Sequence, residues 1–205
     1  MFGDLAGGIS GSTFSGNQAG GSGGALYVGG DLDNISGNSK FADNQAKLAG
    51  GALFAGGNLA ISDATFTNNK AAGDATKPTS GRGGAIFHNG GHLAGLPYKN
   101  VSLDVAAGQS IIFEGNTMNP GKSGETPNSI YFGNSWIGAG NDGTTTAAFN
   151  VATGGTLNIL DPLASQPDDL ASTFGTYANL TLLINKTGAG TMVLAGNNDM
   201  QSATD

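Results

Sequence analysis

The feature that most constrains the fold of this chain is a pair of short motifs that recur at a nearly fixed spacing. Successive copies of Phe-x-x-Asn begin 27, 25 and 47 residues apart. Gly-Gly-Ala-(Leu/Ile) follows the Phe by nine residues in the first two units and by seventeen in the third. Such a period is typical of solenoids, in which each repeat forms one coil. The copies begin at Phe14, Phe41, Phe66 and Phe113, with asparagines at Asn17, Asn44, Asn69 and Asn116 and glycine pairs at Gly23-Gly24, Gly50-Gly51 and Gly83-Gly84.

Between the motifs lie short apolar runs separated by Gly and Asn, a pattern that favours strands over helices. The second unit is predicted to contain three strands, around Leu26, Leu32 and Phe41, with Leu26, Val28, Leu32 and Ile35 facing inward. We therefore predict an all-β fold, a parallel β-helix of about eight coils with inserted loops. The 47-residue spacing is interpreted as two coils, one of which has lost its motif.

Each motif residue has a physical role in such a rod. Phe rings of neighbouring coils are expected to stack in the core. The Asn side chains are expected to form an amide ladder at a corner, because an unpaired buried amide costs about 1–3 kcal/mol. The Gly-Gly pair permits a positive φ at a tight bend.

The composition agrees with a solenoid. Glycine supplies 37 of 205 residues, and charged residues are only 11% against the usual share of about a quarter. Apolar residues reach 38% and fall in ordered runs, which argues against disorder. A net charge of −7 disfavours nucleic acid as a partner. We expect one domain over residues 1–205, with motif coils over 14–132 and C-terminal coils over 133–205.

The two motifs together resemble the passengers of polymorphic-membrane-protein autotransporters, best known from chlamydiae. Seven motif copies carry this resemblance over residues 14–132. Residues 154–163 are similar to the stretch that follows the repeats in that family, and residues 184–198 are similar to the autotransporter passenger repeat. One departure is that this chain has no cysteine, whereas chlamydial members usually contain it.

The resemblance implies a function as well as a fold. It implies a right-handed parallel β-helix that is exported by a C-terminal outer-membrane barrel and that mediates adhesion to host cells. The chain is then a passenger fragment at the bacterial cell surface or secreted, with its signal and barrel outside it and contact with the membrane only through that barrel. The expected partner is a host receptor, matrix protein or glycan. Self-association between bacteria and a purely structural spacer are the alternatives.

Catalysis is not expected, although β-helices do host enzymes that cleave polysaccharides. Such sites need carboxylates clustered on one face of successive coils, whereas the acids here are scattered. His88 and His92 are separated by a Gly-containing turn that prevents the helical geometry of a metal-binding pair, and a solvent-facing strand end is expected for them. We therefore predict no catalytic residue, no metal ligand and no cofactor.

The sequence offers one main candidate for receptor binding, the insertion between Lys70 and Arg82. It carries Lys70, Lys77 and Arg82, three of the eight cations of the chain, and loops on a regular wall often carry recognition. We hypothesise a local positive, flexible site for an acidic host glycan or glycoprotein, and a solvated insertion without function is the alternative. Residues 117–127 and 161–177 are further candidate loops, and Trp136 is expected to pack near Tyr131 and Phe132.

Overall fold

The computed structural model describes residues 3–77, 80–90, 99–119, 124–133, 143–165 and 180–198. These residues form strands and turns only, and none lies in a helix long and apolar enough to cross a membrane. The strands, in chain order, are β1 Ile9–Ser10, β2 Thr13–Ser15, β3 Gln18–Ala19, β4 Leu26–Val28, β5 Leu32–Ser36, β6 Ser39–Ala42, β7 Gln45–Ala46, β8 Leu53–Ala55, β9 Leu59–Ile61, β10 Ala64–Thr67, β11 Lys70–Ala71, β12 Ile86–Asn89, β13 Val101–Val105, β14 Ser110–Glu114, β15 Thr117–Met118, β16 Thr126–Pro127, β17 Ile130–Gly133, β18 Gly143–Val151, β19 Thr156–Ile159, β20 Ala164–Ser165, β21 Leu180–Thr187 and β22 Thr191–Leu194.

The strands stack into four sheets that run along one rod, and the parallel β-helix is confirmed. Sheet A has the order β1-β5-β9-β13-β18-β21, and sheet B the order β2-β6-β10-β14-β19-β22. Sheet C is β3-β7-β11-β15-β16, and sheet D is β4-β8-β12-β17-β20. All pairings between these strands are parallel except that of β15 with β16, which is antiparallel. One coil therefore passes through sheets A, B, C and D in turn.

Two details of the predicted coil are wrong. A coil has four strands rather than three, because a two-residue strand such as β7 follows each Phe-x-x-Asn motif. Phe66 pairs directly with Phe113, so the 47-residue spacing is one coil and not two. The extra residues of this coil fall in the chain between β11 and β12 and between β12 and β13. The predicted count of about eight coils is not confirmed, since the described strands of sheets A and B stack six deep.

The core lies inside the rod and is formed by the inward-facing residue of each rung. In sheet B, Phe41, Phe66 and Phe113 are fully buried, and Ile159 continues the column. Sheet A contributes a parallel column of aliphatic side chains that includes Ile35, Ile61 and Leu103. Because strand side chains alternate between the two faces, every second residue of a strand points to the outside of the rod, although all residues of β12 and β17 in sheet D are buried. The outer surface is where any site for a partner has to be sought.

The Gly-Gly pairs bend the chain between sheets C and D. The first glycine of each pair has a positive φ, for example 64° at Gly50. The second glycine lies against the next coil, and a Cβ on Gly51 would collide with the carbonyl oxygen of Gly84. Only glycine fits this second position, because the obstacle is backbone rather than a movable side chain.

We expect Gly51→Ala to lower the free energy of unfolding by about 3 kcal/mol, because the coils must separate to admit the methyl group. Gly21→Ala is the matched control, since a Cβ at Gly21 would have no atom within 4 Å and the φ of Gly21 is not positive. Chemical denaturation of the two variants measures the difference. Equal stability of both would show that the close approach at Gly51 is unimportant.

Candidate functional site

The asparagines of the Phe-x-x-Asn motif form a continuous ladder along the corner between sheets B and C. Nδ2 of Asn17 donates to Oδ1 of Asn44 at 2.8 Å, Asn44 donates to Asn69 at 2.9 Å, and Asn69 donates to Asn116 at 2.9 Å. The backbone N–H of each rung donates to the same oxygen of the next coil, at 3.0–3.1 Å. The ladder reaches Asp161, whose Oδ2 accepts from Nδ2 of Asn116 at 2.9 Å.

The ladder also explains why Phe and Asn occur together. The second Nδ2 hydrogen of Asn69 is donated to the carbonyl oxygen of Phe41 at 2.9 Å, and Asn116 makes the same bond to Phe66. The carboxamide therefore uses both donors and its acceptor while it is fully buried. An Asp at an inner rung would have no hydrogen to donate.

The aromatic half of the motif stacks ring on ring. The centroids of Phe14 and Phe41, of Phe41 and Phe66, and of Phe66 and Phe113 are each 4.8 Å apart, with interplanar angles of 6–10°. Phe14 is half-buried, and the others have no exposed surface. Since the inner Phe and Asn side chains are inside the rod, they hold the coils in register and are not available for contact with a partner.

We expect Asn69→Ala to lower the free energy of unfolding by about 3 kcal/mol, because it leaves buried donors of Asn44 and acceptors of Asn116 and Phe41 unpaired. Asn58→Ala is the control, since Asn58 makes similar bonds between coils but is exposed, so water replaces them. Urea unfolding of both variants tests this. An equal loss of unfolding free energy in the two variants would show that burial does not make the hydrogen bonds of Asn69 more important than those of Asn58.

A second polar ladder runs along the outer edge of sheet A, and the sequence analysis did not find it. The backbone N–H of Asn58 donates to Asp31, that of Asn100 donates to Asn58, and that of Thr146 donates to Asn100, at 2.8–3.0 Å. Lys99 forms an ion pair with Asp31 at 3.0 Å. The available signal was an Asp or Asn directly before an inward-facing aliphatic residue, as in Asp31-Leu32, Asn58-Leu59 and Asn100-Val101.

This second ladder forms one wall of a groove on the outer face of sheet A. The groove contains a depression of about 240 Å³ that is lined by Asp31, Leu32, Asp33, Asn58, Leu59, Ala60, Asn100 and Ser102. Its floor is the row Ala60, Ser102 and Ala148, which pair with one another in consecutive coils. We call this feature the sheet A groove.

The opposite side of the sheet A groove is also polar. Asp104, Asn150 and Thr187 occupy one row of the sheet, and hydrogen bonds connect them. Asp104 also accepts a hydrogen bond from the hydroxyl of Ser102 on the floor. On the first wall, burial raises the pKa of Asp31, but hydrogen bonds from Asn58 and the interaction with Lys99 outweigh it and hold the pKa below its usual value. Asp31 is therefore ionised at neutral pH.

The three cations predicted to bind a receptor do not form one positive patch. Lys70 is paired with Glu125. Arg82 is only 5% exposed, and its Nη1 donates to the hydroxyl of Tyr131 at 2.7 Å while its guanidinium lies 5.2 Å from the centre of that ring. Lys77 is exposed, and its side chain has no ion pair within the described residues.

In the described part of the insertion, Asp74 is the centre of a group of hydrogen bonds and an ion pair. Asp74 forms an ion pair with Lys47 at 2.8 Å and accepts hydrogen bonds from the backbone and hydroxyl of Thr76. These interactions, the one with Lys47 first, hold the pKa of Asp74 well below its usual value. The backbone N–H of Asp74 donates to the hydroxyl of the buried Ser80 at 2.6 Å. Within the described part of this loop, Lys70 and Asp74 are therefore paired, whereas Lys77 is exposed.

The other candidate loops are described in part. Residues 117–127 contain the β15–β16 pair, and Met118 packs against a small apolar cluster that includes Phe87 and Tyr131. That cluster belongs to an aromatic column on the outer face of sheet D, formed by Tyr27, Phe54, Phe87 and Tyr131. The sequence signal for it was the aromatic residue that follows Gly-Gly-Ala-(Leu/Ile). Pro120, Lys122, Trp136, His92, Asp168, Asp169 and Phe174 lie outside the described residues.

His88 is inside the rod, and the expectation of a solvent-facing strand end is wrong. It has no exposed surface, and its Nε2 lies 3.1 Å from the carbonyl oxygen of Gly57, to which it donates. The reason is register, because β12 continues the inward row of β8 and places His88 beside Ala55 and Phe132. Burial lowers the pKa of His88 to about 4, and the hydrogen bond to Gly57 opposes this only in part.

The lowered pKa of His88 makes the stability of the rod depend on pH. The unfolded chain takes up the proton near pH 6.5, whereas the folded chain resists it down to about pH 4. The stability that His88 contributes is complete above pH 6.5 and declines by about 3 kcal/mol as the pH falls from 6.5 to 4. We expect His88→Leu to remove this part of the pH dependence. Unfolding curves of both proteins at several pH values measure the free energy of unfolding. An equal loss of stability in both proteins between pH 6.5 and 4 would show that His88 is not responsible.

Comparison with known proteins identifies the repeat. The model of the Chlamydia polymorphic membrane protein repeat matches residues 11–29 and 63–89. Each matched segment contains a Phe-x-x-Asn motif and the Gly-Gly-Ala motif after it, so the resemblance drawn from these motifs is confirmed. The two segments make up less than a quarter of the chain. No curated protein and no protein of known structure matches the chain.

The two matched segments are similar to a repeat of polymorphic membrane proteins, and this similarity supports a location at the cell surface. Among the described residues, no group of three or more His, Asp or Glu side chains is placed to hold a metal ion.

Proposed function

We propose that this chain is an adhesin passenger segment of a Gram-negative autotransporter and attaches the bacterium to host cells without catalysing a reaction. The observation that carries the proposal is that different residues of each coil form the core and the outer surface. The residues of the surface-protein repeat are buried in ladders and stacks, while the residues between them form the outer faces. The outer side chains of such a rod can therefore differ from coil to coil while the core that positions them stays the same.

Two surfaces are the candidates for contact with a host partner. The first is the sheet A groove, where amide, hydroxyl and carboxylate groups repeat from coil to coil. The second is the inserted loop, on which Lys77 is the exposed cation of the three predicted contacts. Recognition on a solenoid often uses its projecting loops and its regular faces.

Self-association is the second candidate function, and a particular surface feature favours it. Leu160 and Val193 are exposed by 38% and 40%. Val193 lies in β22 of sheet B, and Leu160 directly follows β19, the strand that pairs with β22. Exposed apolar residues that lie together often mark contacts between proteins. Two copies of the chain on different bacteria would then bind through this face. A purely structural spacer would have neither activity.

The proposal is tested with beads that carry the folded chain and are added to cultured host cells. We expect saturable attachment that soluble chain competes away, with beads that carry Gly51→Ala protein, whose fold is disturbed, attaching less. Lys77→Ser tests the loop, and Lys40→Ser is the matched control because Lys40 is an exposed lysine on the outer face of sheet B.

Three results distinguish the candidates. Saturable binding to cells supports adhesion, and a selective loss in Lys77→Ser assigns the loop to it. Clumping of beads in the absence of cells, without attachment to cells, replaces adhesion by self-association. If the beads neither attach to cells nor clump, the structural spacer is the remaining candidate and the proposal is contradicted.

A further inference from the structure

We propose that the sheet A groove is a binding site for a linear, uncharged oligosaccharide that lies along the axis of the rod. The inference deepens the proposed adhesion by naming the chemical class of the partner, but the binding itself can be measured without cells. The shape of the groove, the hydrogen-bonding groups that line it and its charge each favour this class of ligand.

The shape of the groove favours an extended ligand. Its floor consists of Ala60, Ser102 and Ala148 in three consecutive coils, and none of these side chains extends beyond one carbon or a hydroxymethyl group. The row Asp31, Asn58 and Asn100 flanks the floor on one side, and the row that contains Asp104 and Asn150 flanks it on the other. Polar groups therefore recur at the coil spacing of about 4.8 Å, and a polymer with its own repeat of similar size can meet them in several coils at once.

The hydrogen-bonding groups of the groove suit a ligand rich in hydroxyl groups. Oδ1 of Asn100 accepts a hydrogen bond from the backbone N–H of Thr146, whereas its Nδ2 has no hydrogen-bond partner within the described residues. One carboxylate oxygen of Asp33 accepts from the backbone N–H of Gly7, and the other has no hydrogen-bond partner among the residues that the structure describes. Fixed donors and acceptors side by side match adjacent sugar hydroxyls, each of which both donates and accepts. The methyl groups of Ala60 and Ala148 suit the apolar face of a sugar ring.

The charge of the groove argues against an anionic ligand. Asp31 and Asp33 line the depression, Asp104 lies on the opposite wall, and no Lys or Arg is among the residues that line the depression. Lys99, which is nearby, is neutralised by Asp31. A sulfated or sialylated glycan would therefore meet like charges, which are unfavourable at short range.

A peptide fits the groove less well. Peptides that bind to sheets in extended form pair with an exposed edge or place alternate side chains in pockets. In sheet A, strands β5, β9, β13 and β18 each have a hydrogen-bonded neighbour on both sides, so their backbone groups are already used. The shallow floor of Ala60, Ser102 and Ala148 has no side-chain pockets.

Two variants test the site by different means. Ala60→Tyr fills the floor of the depression without removing a hydrogen bond, and Ala42→Tyr is its control on the outer face of sheet B. Asn100→Asp keeps the oxygen that accepts from Thr146 and removes the open Nδ2 donor. Circular dichroism and thermal unfolding establish that each variant is folded before its binding is compared.

The experiment is calorimetric titration of the whole chain with short linear oligomers of glucose, mannose and N-acetylglucosamine. A heparin oligomer and an extended polar peptide represent the other ligand classes. We expect at least one uncharged oligomer to bind, with about a tenfold or larger loss of affinity in Ala60→Tyr and Asn100→Asp and no change in Ala42→Tyr.

The other results either overturn the inference or separate it from the proposed adhesion. Tighter binding of heparin shows that an anionic ligand is preferred, and binding of the peptide alone shows a protein partner. An equal loss in Ala42→Tyr places the site elsewhere. If no oligomer binds while the beads still attach to cells, the groove is not a sugar site and adhesion stands. If an oligomer binds in the groove but the beads do not attach, adhesion fails and the sugar site stands.

Discussion

The amide ladder from Asn17 to Asp161 is the interaction on which the rest of this rod depends. The Oδ1 of each inner carboxamide accepts from the side chain and the backbone N–H of the preceding asparagine, as in Asn69. Its Nδ2 donates to the side chain of the next rung and to the Phe carbonyl of the preceding coil. A coil shifted by one residue would lose all of these bonds and turn its inward residues outward. The ladder therefore fixes register, and register determines which side chains form the core and which form the surface.

Fixed register separates the residues that build the rod from those that can recognise a partner. The Phe column and the inner asparagines are buried, and the second glycines of the Gly-Gly pairs lie against neighbouring backbone. Dependence of adhesion on these motifs would therefore reflect the integrity of the coils. Exposed outer side chains, such as Lys40 and Asn58, are not packed in the core, so their chemistry can vary at less cost to the fold. The sheet A groove arises from three such rows, in which small residues lie between two polar rows.

Insertions add a second source of variation, and this rod incorporates them with little change to its wall. The coil that joins Phe66 to Phe113 is almost twice as long as its predecessors, yet both rings stack at the common distance. The entropic cost of closing a loop grows only slowly with its length, so the ladder bonds retain the register. The first insertion is itself bound to the wall through Asp74 and Lys47.

The sequence by itself determined the architecture and the local geometry of its motifs. Repeated Phe, Asn and Gly-Gly at a solenoid period specify parallel stacking, a buried aromatic column and an amide ladder, because each residue type suits only a few environments. Only the tertiary structure decided that the 47-residue interval is one coil, that Arg82 and His88 are buried, and that Lys70 is paired. It also decided that Ala60, Ser102 and Ala148 meet in one groove. These facts depend on which residues of different coils become neighbours, and that is set by packing across 25 to 47 residues of chain rather than by any local pattern.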